Sequence, residues 1–355
     1  MTKEIKSLTG LRGVAAMWIV LHHYFGSAKT GNIVLEAISN IFSNGYLAVD
    51  FFFVLSSFVL CYSYEKSFSV TVNRESYKNF MIKRFIRIYP LLIFMLLFSF
   101  IVLYRQHWIY FPYYISLTFI FLSETYRKID SLAITWSLAC EFVLYFIFPF
   151  LFLLFTRYKN LLKFVIPISA LLYLYIFFAD TITLSGEGFV RETIHNSKGL
   201  INTPYGTSAI IRCLSGYLLG ILSFHYYKSG KSFNTPLLIL LIILSLLIKK
   251  ADIVILICIA FLLPSLINKS SSLVSNLLSS KVIYFLGTIS YSIYLIHIVP
   301  LILIDMFKND LLNFLPLYVY KVVGIVLTIS FSILTYYNIE KRFSLLLTEY
   351  LIKIK

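Results

Sequence analysis

Eight apolar runs, near residues 8–25, 45–64, 88–104, 132–155, 164–179, 207–227, 282–303 and 316–337, are each long enough, or nearly so, to cross about 30 Å of hydrocarbon as a helix. No other feature narrows the fold as far. Lipid offers the backbone no hydrogen-bond partner, and a helix satisfies its N–H and C=O groups within the segment. With 59% apolar and 13% charged residues, the chain of 355 has too little polar surface to coat a soluble globule. The sequence therefore predicts an all-α fold, a polytopic transmembrane helical bundle.

Two shorter runs, 235–248 and 253–267, flank the polar break Lys249-Lys250-Ala251-Asp252. They form a tight pair of crossings or a re-entrant hairpin, and later topology is the same either way. Residues 110–123 matter more, because a crossing there inverts every loop that follows. Charge bias decides between the two topologies: without that crossing the cytoplasmic segments hold 19 Lys and Arg against 9 outside, and with it the split is 15 to 13. The expected topology is about ten spans with both termini cytoplasmic. Residues 105–131 then lie on the outer side with 110–123 half-buried, and 180–206 form the longest outer loop. Residues 1–340 read as one integral-membrane domain and 341–355 as a cytoplasmic basic tail.

The net charge of +15 belongs to this topology, not to nucleic acid, because the basic residues cluster in short groups beside apolar runs. The first run holds Arg12 and no small-residue cleavage site follows it, so a retained N-terminus is expected. Cys61, Cys140, Cys213 and Cys258 fall in or beside apolar segments without paired spacing, which points to buried thiols, with no disulfide framework and no metal site.

Ionisable residues inside such spans cost insertion free energy and direct attention to function. Arg12 enters the first span and His23 follows eleven residues, about 16 Å, later. A neutral imidazole at that depth suits a general base that takes a hydroxyl proton, although helix packing alone could satisfy it. Asp50 opens the second span, and Glu141, in Thr135-Trp136-Ser137-Leu138-Ala139-Cys140-Glu141, is expected at a comparable depth. Two carboxylates level with an imidazole could orient it and stabilise its protonated form; ion pairing with Arg212 is the competing account. The run Lys83-Arg84-Phe85-Ile86-Arg87-Ile88-Tyr89-Pro90 sets two guanidinium groups three apart, a pattern that suits phosphates or ordinary cytoplasmic anchoring. Tyr291, Ser292 and His297 could hydrogen-bond a polar substrate or form a polar seam between helices.

Taken in order, these runs resemble the acyltransferase-3 family of integral-membrane O-acyltransferases. The matching motifs are Arg12-x10-His23, Val49-Asp50-Phe51-Phe52-Phe53-Val54-Leu55-Ser56, Arg84-x2-Arg87-Ile88-Tyr89-Pro90, Trp136-Ser137-Leu138-x2-Glu141, Arg212-x3-Gly216-x3-Gly220, and Ser290-Tyr291-x2-Tyr294-Leu295-x-His297. The resemblance implies a multi-pass protein of the bacterial plasma membrane. It implies acetyl-CoA or another acyl-CoA as donor, and as acceptor a glycan or lipid-linked saccharide hydroxyl at the extracytoplasmic face. By the same analogy His23 is the catalytic base or acyl carrier, with Glu141 and Asp50 as its acidic companions. Arg12 supports His23 or the donor, Arg84 and Arg87 hold the CoA phosphates, and Tyr89 joins them at the donor. His22, Trp136, Ser137, Arg212, Tyr291, Ser292 and His297 face the substrate. Ser57 stands where the family usually has glycine, and Phe142 replaces an acidic residue that often follows the motif glutamate. Relatives often carry a fused extracytoplasmic esterase-like domain; its expected absence here leaves room for a separate partner of that kind. The alternative is a transporter or flippase of a lipid-linked saccharide that makes no bonds.

Overall fold

A computed structural model describes residues 4–26, 39–103, 105–123, 129–178, 180–185, 188–192, 201–248, 251–268, 272–307 and 317–353. The principal helices are α1 (Lys6–Phe25), α2 (Leu47–Phe68), α3 (Arg74–Phe98), α4 (Trp136–Arg157), α5 (Val165–Phe178), α6 (Gly206–Lys228), α7 (Thr235–Leu247) and α8 (Asp252–Asn268). They are followed by α9 (Lys281–Thr288), α10 (Ser290–Ile296), α11 (Ile298–Met306), α12 (Leu317–Thr335) and α13 (Arg342–Lys353). Among the described residues, six helical stretches have the length and hydropathy of membrane spans, and α9 with the continuous stretch Ser290–Met306, bent by 59°, makes a seventh if the pair is one span. The molecule is an all-α bundle of the membrane-spanning kind.

Residues 105–123 contain no helix of crossing length. They form short turns of which Phe111–Ile115, about 7.5 Å long, is the α-helical one. These turns reach β1 (Thr181–Ser185), where the Ser123 amide donates to the Leu184 carbonyl at 2.9 Å. β1 pairs antiparallel with β2 (Gly188–Glu192), a hairpin that apolar periodicity did not foretell.

Small residues set the closest helix approaches, as expected where lipid removes the usual hydrophobic drive for association. A Cβ on Gly220 of α6 would lie 2.4 Å from the Val54 carbonyl oxygen of α2, and one on Gly216 would lie 2.7 Å from the Phe53 Cβ. That Gly-x3-Gly face presses α6 against α2, and Arg212, one turn before Gly216, arrives opposite Asp50. Gly13 of α1 and Gly287 of α9 do the same for a second pair: a Cβ on Gly13 would meet the Gly287 nitrogen at 2.5 Å.

The bend after α9 positions the site. Helical geometry lapses at Ile289, beside a Gly-Thr pair whose threonine hydroxyl donates back to the Tyr284 carbonyl at 3.0 Å. The chain then re-enters the bundle with Ser290, Ser292 and Tyr294 buried. A second irregularity follows α12, where Tyr336–Lys341 winds as a π-helix and buries Glu340.

Candidate functional site

The bundle holds a cavity of about 180 Å³ with side chains from five helices. α1 contributes Arg12, α2 contributes Phe52 and Ser56, α3 contributes Arg84 and Arg87, α4 contributes Ser137, Glu141 and Tyr145, and α10 contributes Ser290, Tyr291 and Tyr294. Three guanidinium groups and one carboxylate therefore share a small chamber among apolar helices.

Each charge is held differently. Arg87 pairs with Glu340, whose other carboxylate oxygen accepts from the Ser292 hydroxyl at 2.9 Å. Its guanidinium carbon also lies 5.2 Å from the centre of the Tyr291 ring, and the Tyr291 hydroxyl donates to the Ile88 carbonyl at 2.7 Å. Arg84 sits in an aromatic cage, 5.6 Å from Tyr64, 5.7 Å from Phe80 and 5.8 Å from Tyr145, and donates to the Tyr64 hydroxyl at 3.3 Å. Arg12 has no hydrogen bond or ion pair with a described residue, although it lies within reach of the charges of Arg87, Glu340, Glu141 and Glu4. Glu141 accepts from the Ser56 hydroxyl and, at 3.3 Å, from the Tyr217 hydroxyl. Among the described residues that line the chamber, three cations face one anion, with Glu340 and Glu4 acting from outside the lining.

Glu141, Asp50 and His23 are not level. Ser56, which meets Glu141, is six residues beyond Asp50 on α2, so Glu141 lies about 9 Å further along the bundle. Asp50 is wholly buried and bidentate with Arg212, whose Nε is 2.8 Å from one carboxylate oxygen and whose Nη2 is 2.5 Å from the other. That Nη2 also donates to the Tyr46 carbonyl at 3.1 Å, and the guanidinium carbon lies 4.9 Å from the centre of the Trp136 ring. No hydrogen bond joins His23 to Asp50 or Glu141. The expected arrangement of two carboxylates around this imidazole is thus corrected, because the guanidinium fork of Arg212 outcompetes a single ring N–H for Asp50. Arg212 and Trp136, expected to face the substrate, are built into this closed pair.

His23 occupies the last turn of α1, exposed, and does not line the cavity. Aromatic contacts link the two: Tyr294 in the cavity wall is 6.0 Å from His297, ring centre to ring centre, and His297 is 5.0 Å from His23. Tyr294 is fixed by its hydroxyl, which donates to the Ile134 carbonyl at 2.5 Å and accepts from the Ser137 hydroxyl at 2.7 Å. Phe52, 6.5 Å from Tyr294, completes this partition. His22 donates from Nδ1 to the Phe42 carbonyl at 2.9 Å and packs edge-on to Tyr46. Tyr89 stacks on Phe85 at 4.0 Å and is not brought to the cavity, which departs from its expected place beside the donor.

Sequence reasoning missed Glu340, Ser56, Tyr145, Tyr217 and Ser290. Glu340 stands beside the basic end of the last run, and a lone carboxylate preceding Lys341-Arg342 was the available signal. Ser56 and Ser290 stand within two of the motifs but drew no role there, and Tyr145 and Tyr217 carry no comparable mark, since tyrosine recurs throughout the spans.

Among known proteins, the acyltransferase-3 family profile, described as an acyltransferase domain, matches residues 5–337. Over 89 residues the chain is 39% identical to "Protein 2 in picA locus" of Rhizobium radiobacter, a stretch covering 24% of this chain and 38% of that protein. The match thus spans well under half of that relative's length. No solved structure matches the chain.

Proposed function

Because this chain belongs to the acyltransferase-3 family, a membrane-bound enzyme of acyl transfer, we propose that it moves an acyl group, acetyl first among candidates, from cytosolic acyl-CoA to a hydroxyl of a cell-surface or lipid-linked glycan at the extracytoplasmic face. The observation that carries this reading is the over-balanced arginine cavity. A cavity of about 180 Å³ fits the thin acyl-bearing arm of a long donor, and its cationic wall suits the anionic remainder. Arg12 is the cation with no pairing duty, so it contributes charge to the donor most directly. Arg87, held by Glu340, supplies a fixed second contact, and Arg84 is held in place by its aromatic cage.

His23 takes the acceptor's hydroxyl proton at the opposite end of the partition. The acyl end of the donor reaches it past Phe52 and Tyr294. The acceptor oxygen forms a C–O bond to the thioester carbon as the C–S bond breaks, and the proton held by the imidazole passes to the departing sulfur. Glu141 holds Ser56 in the wall, is itself held by the Tyr217 hydroxyl, and offsets part of the arginine charge. In this reading the protein sits in a bacterial plasma membrane, needs no metal, and works alone or with a separate extracytoplasmic esterase-like partner.

Mass spectrometry of surface and lipid-linked glycans from cells with and without the protein tests this function. The expected result is a glycan class that loses its ester mass increment when the chain is absent. His23→Ala should insert normally and lower CoA-dependent acetyl incorporation by about 10²- to 10⁴-fold. Spectra identical across all glycan classes, or full incorporation by His23→Ala, would overturn the assignment. Glycan movement without CoA-dependent mass gain would mark the protein as a transporter or flippase.

A further inference from the structure

The cavity is graded along its length. α2 lines it from Val49 to Leu60, about 16 Å of helix, and Ser56 near the middle meets Glu141. Beyond Ser56 lie the charges: Arg84 reaches Tyr64, about two turns further along α2, and Tyr145, one turn past Glu141 on α4. Towards Asp50 the lining is Val49, Phe52, Phe53, Ser137, Leu138 and Tyr294. Neither hydroxyl at this end has a proton left to donate, because Ser137 donates to Tyr294 at 2.7 Å and Tyr294 to the Ile134 carbonyl at 2.5 Å. One end of the cavity is cationic, and the other presents hydrocarbon. Three aromatic rings close the apolar end, and two of them are fixed. Tyr294 is tethered by the bonds just given. Phe53 is buried where α6 presses on α2, its Cβ 2.7 Å from where a Cβ on Gly216 would stand and its ring edge-on to Trp136 at 6.0 Å. Phe52 is only partly buried, and its ring lies 5.9 Å from Phe51 and 6.5 Å from Tyr294, towards the long end of aromatic packing. It is the ring that a change of rotamer moves without breaking a hydrogen bond.

We propose that Phe52 selects the acyl group by size: its ring closes the apolar end of the cavity, and the gap it opens on turning passes a short unbranched chain such as acetyl or propionyl, not a longer or branched one. This inference rests on the acyl-transfer reading above and names the donor class within it. The gap is bounded on two sides by the tethered Tyr294 and the clamped Phe53, so its width follows from what Phe52 yields. A chain too large for it must pull Tyr294 from Ser137 and Ile134 or part α6 from α2, and each methylene beyond the fit then costs more than its burial returns. Selection acts on the passage of the acyl end. The anionic remainder of the donor stays on the arginines at the other end, so kcat carries the discrimination and KM does not.

The test uses inverted membrane vesicles containing the full chain, radiolabelled acetyl-, propionyl-, butyryl- and hexanoyl-CoA as donors, and the endogenous glycan as acceptor. The ratio of rates for two donors on one preparation does not depend on how much protein is folded, so it stays readable in a weakened variant. Wild type should use butyryl-CoA at least about tenfold less well than acetyl-CoA, with the difference in kcat. F52A should bring the two donors within about threefold of each other, and F52L should fall between F52A and wild type. F52W should lower kcat for acetyl-CoA by about tenfold with KM changed less than about twofold. Wild-type discrimination that persists in both F52A and F52L would overturn the proposal and leave the functional reading standing, as would a wild type that transfers hexanoyl as readily as acetyl. Loss of incorporation from every donor in both F52A and F52L would make Phe52 structural and likewise overturn it. No CoA-dependent incorporation by the wild type would sink the functional reading and this inference together.

Discussion

Asp50–Arg212 and the Arg12 cavity present the same feature at the level of sequence, a guanidinium inside an apolar span, yet they are opposite solutions. At the first, one carboxylate meets one guanidinium in a bidentate fork, both side chains wholly buried. At the second, Arg12, Arg84 and Arg87 outnumber Glu141 in the lining, and the guanidinium of Arg12 is left facing space. Charge balance and room, not the presence of charge, separate a structural pair from a candidate binding chamber. The Asp50–Arg212 pair is balanced in charge, although Arg212 Nη1 is buried without a hydrogen-bond partner, whereas an unbalanced group with adjoining volume lacks an anion.

The widest separation between the two regions should appear in stability. Arg212→Met strands the Asp50 carboxylate in a dry interior and should cost about 3–5 kcal/mol, read as a lowered thermal midpoint of the detergent-solubilised protein. Asp50→Leu combined with Arg212→Met removes both charges and should recover most of that loss, to within about 1–2 kcal/mol of wild type, with acetyl incorporation retained. A double variant that folds and yet makes no product would give this pair a part in the reaction and dissolve the contrast.

Arg12→Gln probes the other side with an opposite signature. No ion pair is broken, so the thermal midpoint should not fall, and relief from Arg87 can raise it. The KM for acetyl-CoA should rise about tenfold, a loss of about 1.4 kcal/mol of binding. Destabilisation approaching that of Arg212→Met, with an unchanged KM, would move Arg12 into the structural class.

The bundle, its helices and the family were legible because apolar length and the order of short motifs are properties of the chain itself. Gly216 and Gly220 were visible as a motif; that they press α6 onto α2 and deliver Arg212 to Asp50 was not. The grouping of His23, Asp50 and Glu141 failed because depth was reckoned from the start of each span. The Ser56 contact shows Glu141 about 9 Å further along than Asp50. Arg84 and Arg87 were singled out as a pair and both line the cavity, but their neighbours Tyr64, Tyr145 and Glu340 come from distant segments that periodicity cannot join. Glu340 depends on a π-helical turn, Tyr336–Lys341, and a local change of winding leaves little trace in hydrophobic pattern.

The smallest expected effect calibrates the comparison. Lys228 and Glu65 approach to 2.9 Å, much as Arg212 and Asp50 do, but their side chains are 49% and 37% exposed. A double-mutant cycle with Lys228→Met and Glu65→Gln should give a coupling of about 0.2–1 kcal/mol that shrinks as salt is raised, because water screens the pair and two long side chains lose rotamer freedom to form it. Similar separation with a several-fold smaller effect would assign the difference to burial. A coupling above about 2 kcal/mol, insensitive to salt, would mean that this end of α2 and α6 is shielded from water. The Arg12 cavity would then lie deeper than a cytosolic donor can readily reach, and the reading of it as the donor's entrance would have to be abandoned.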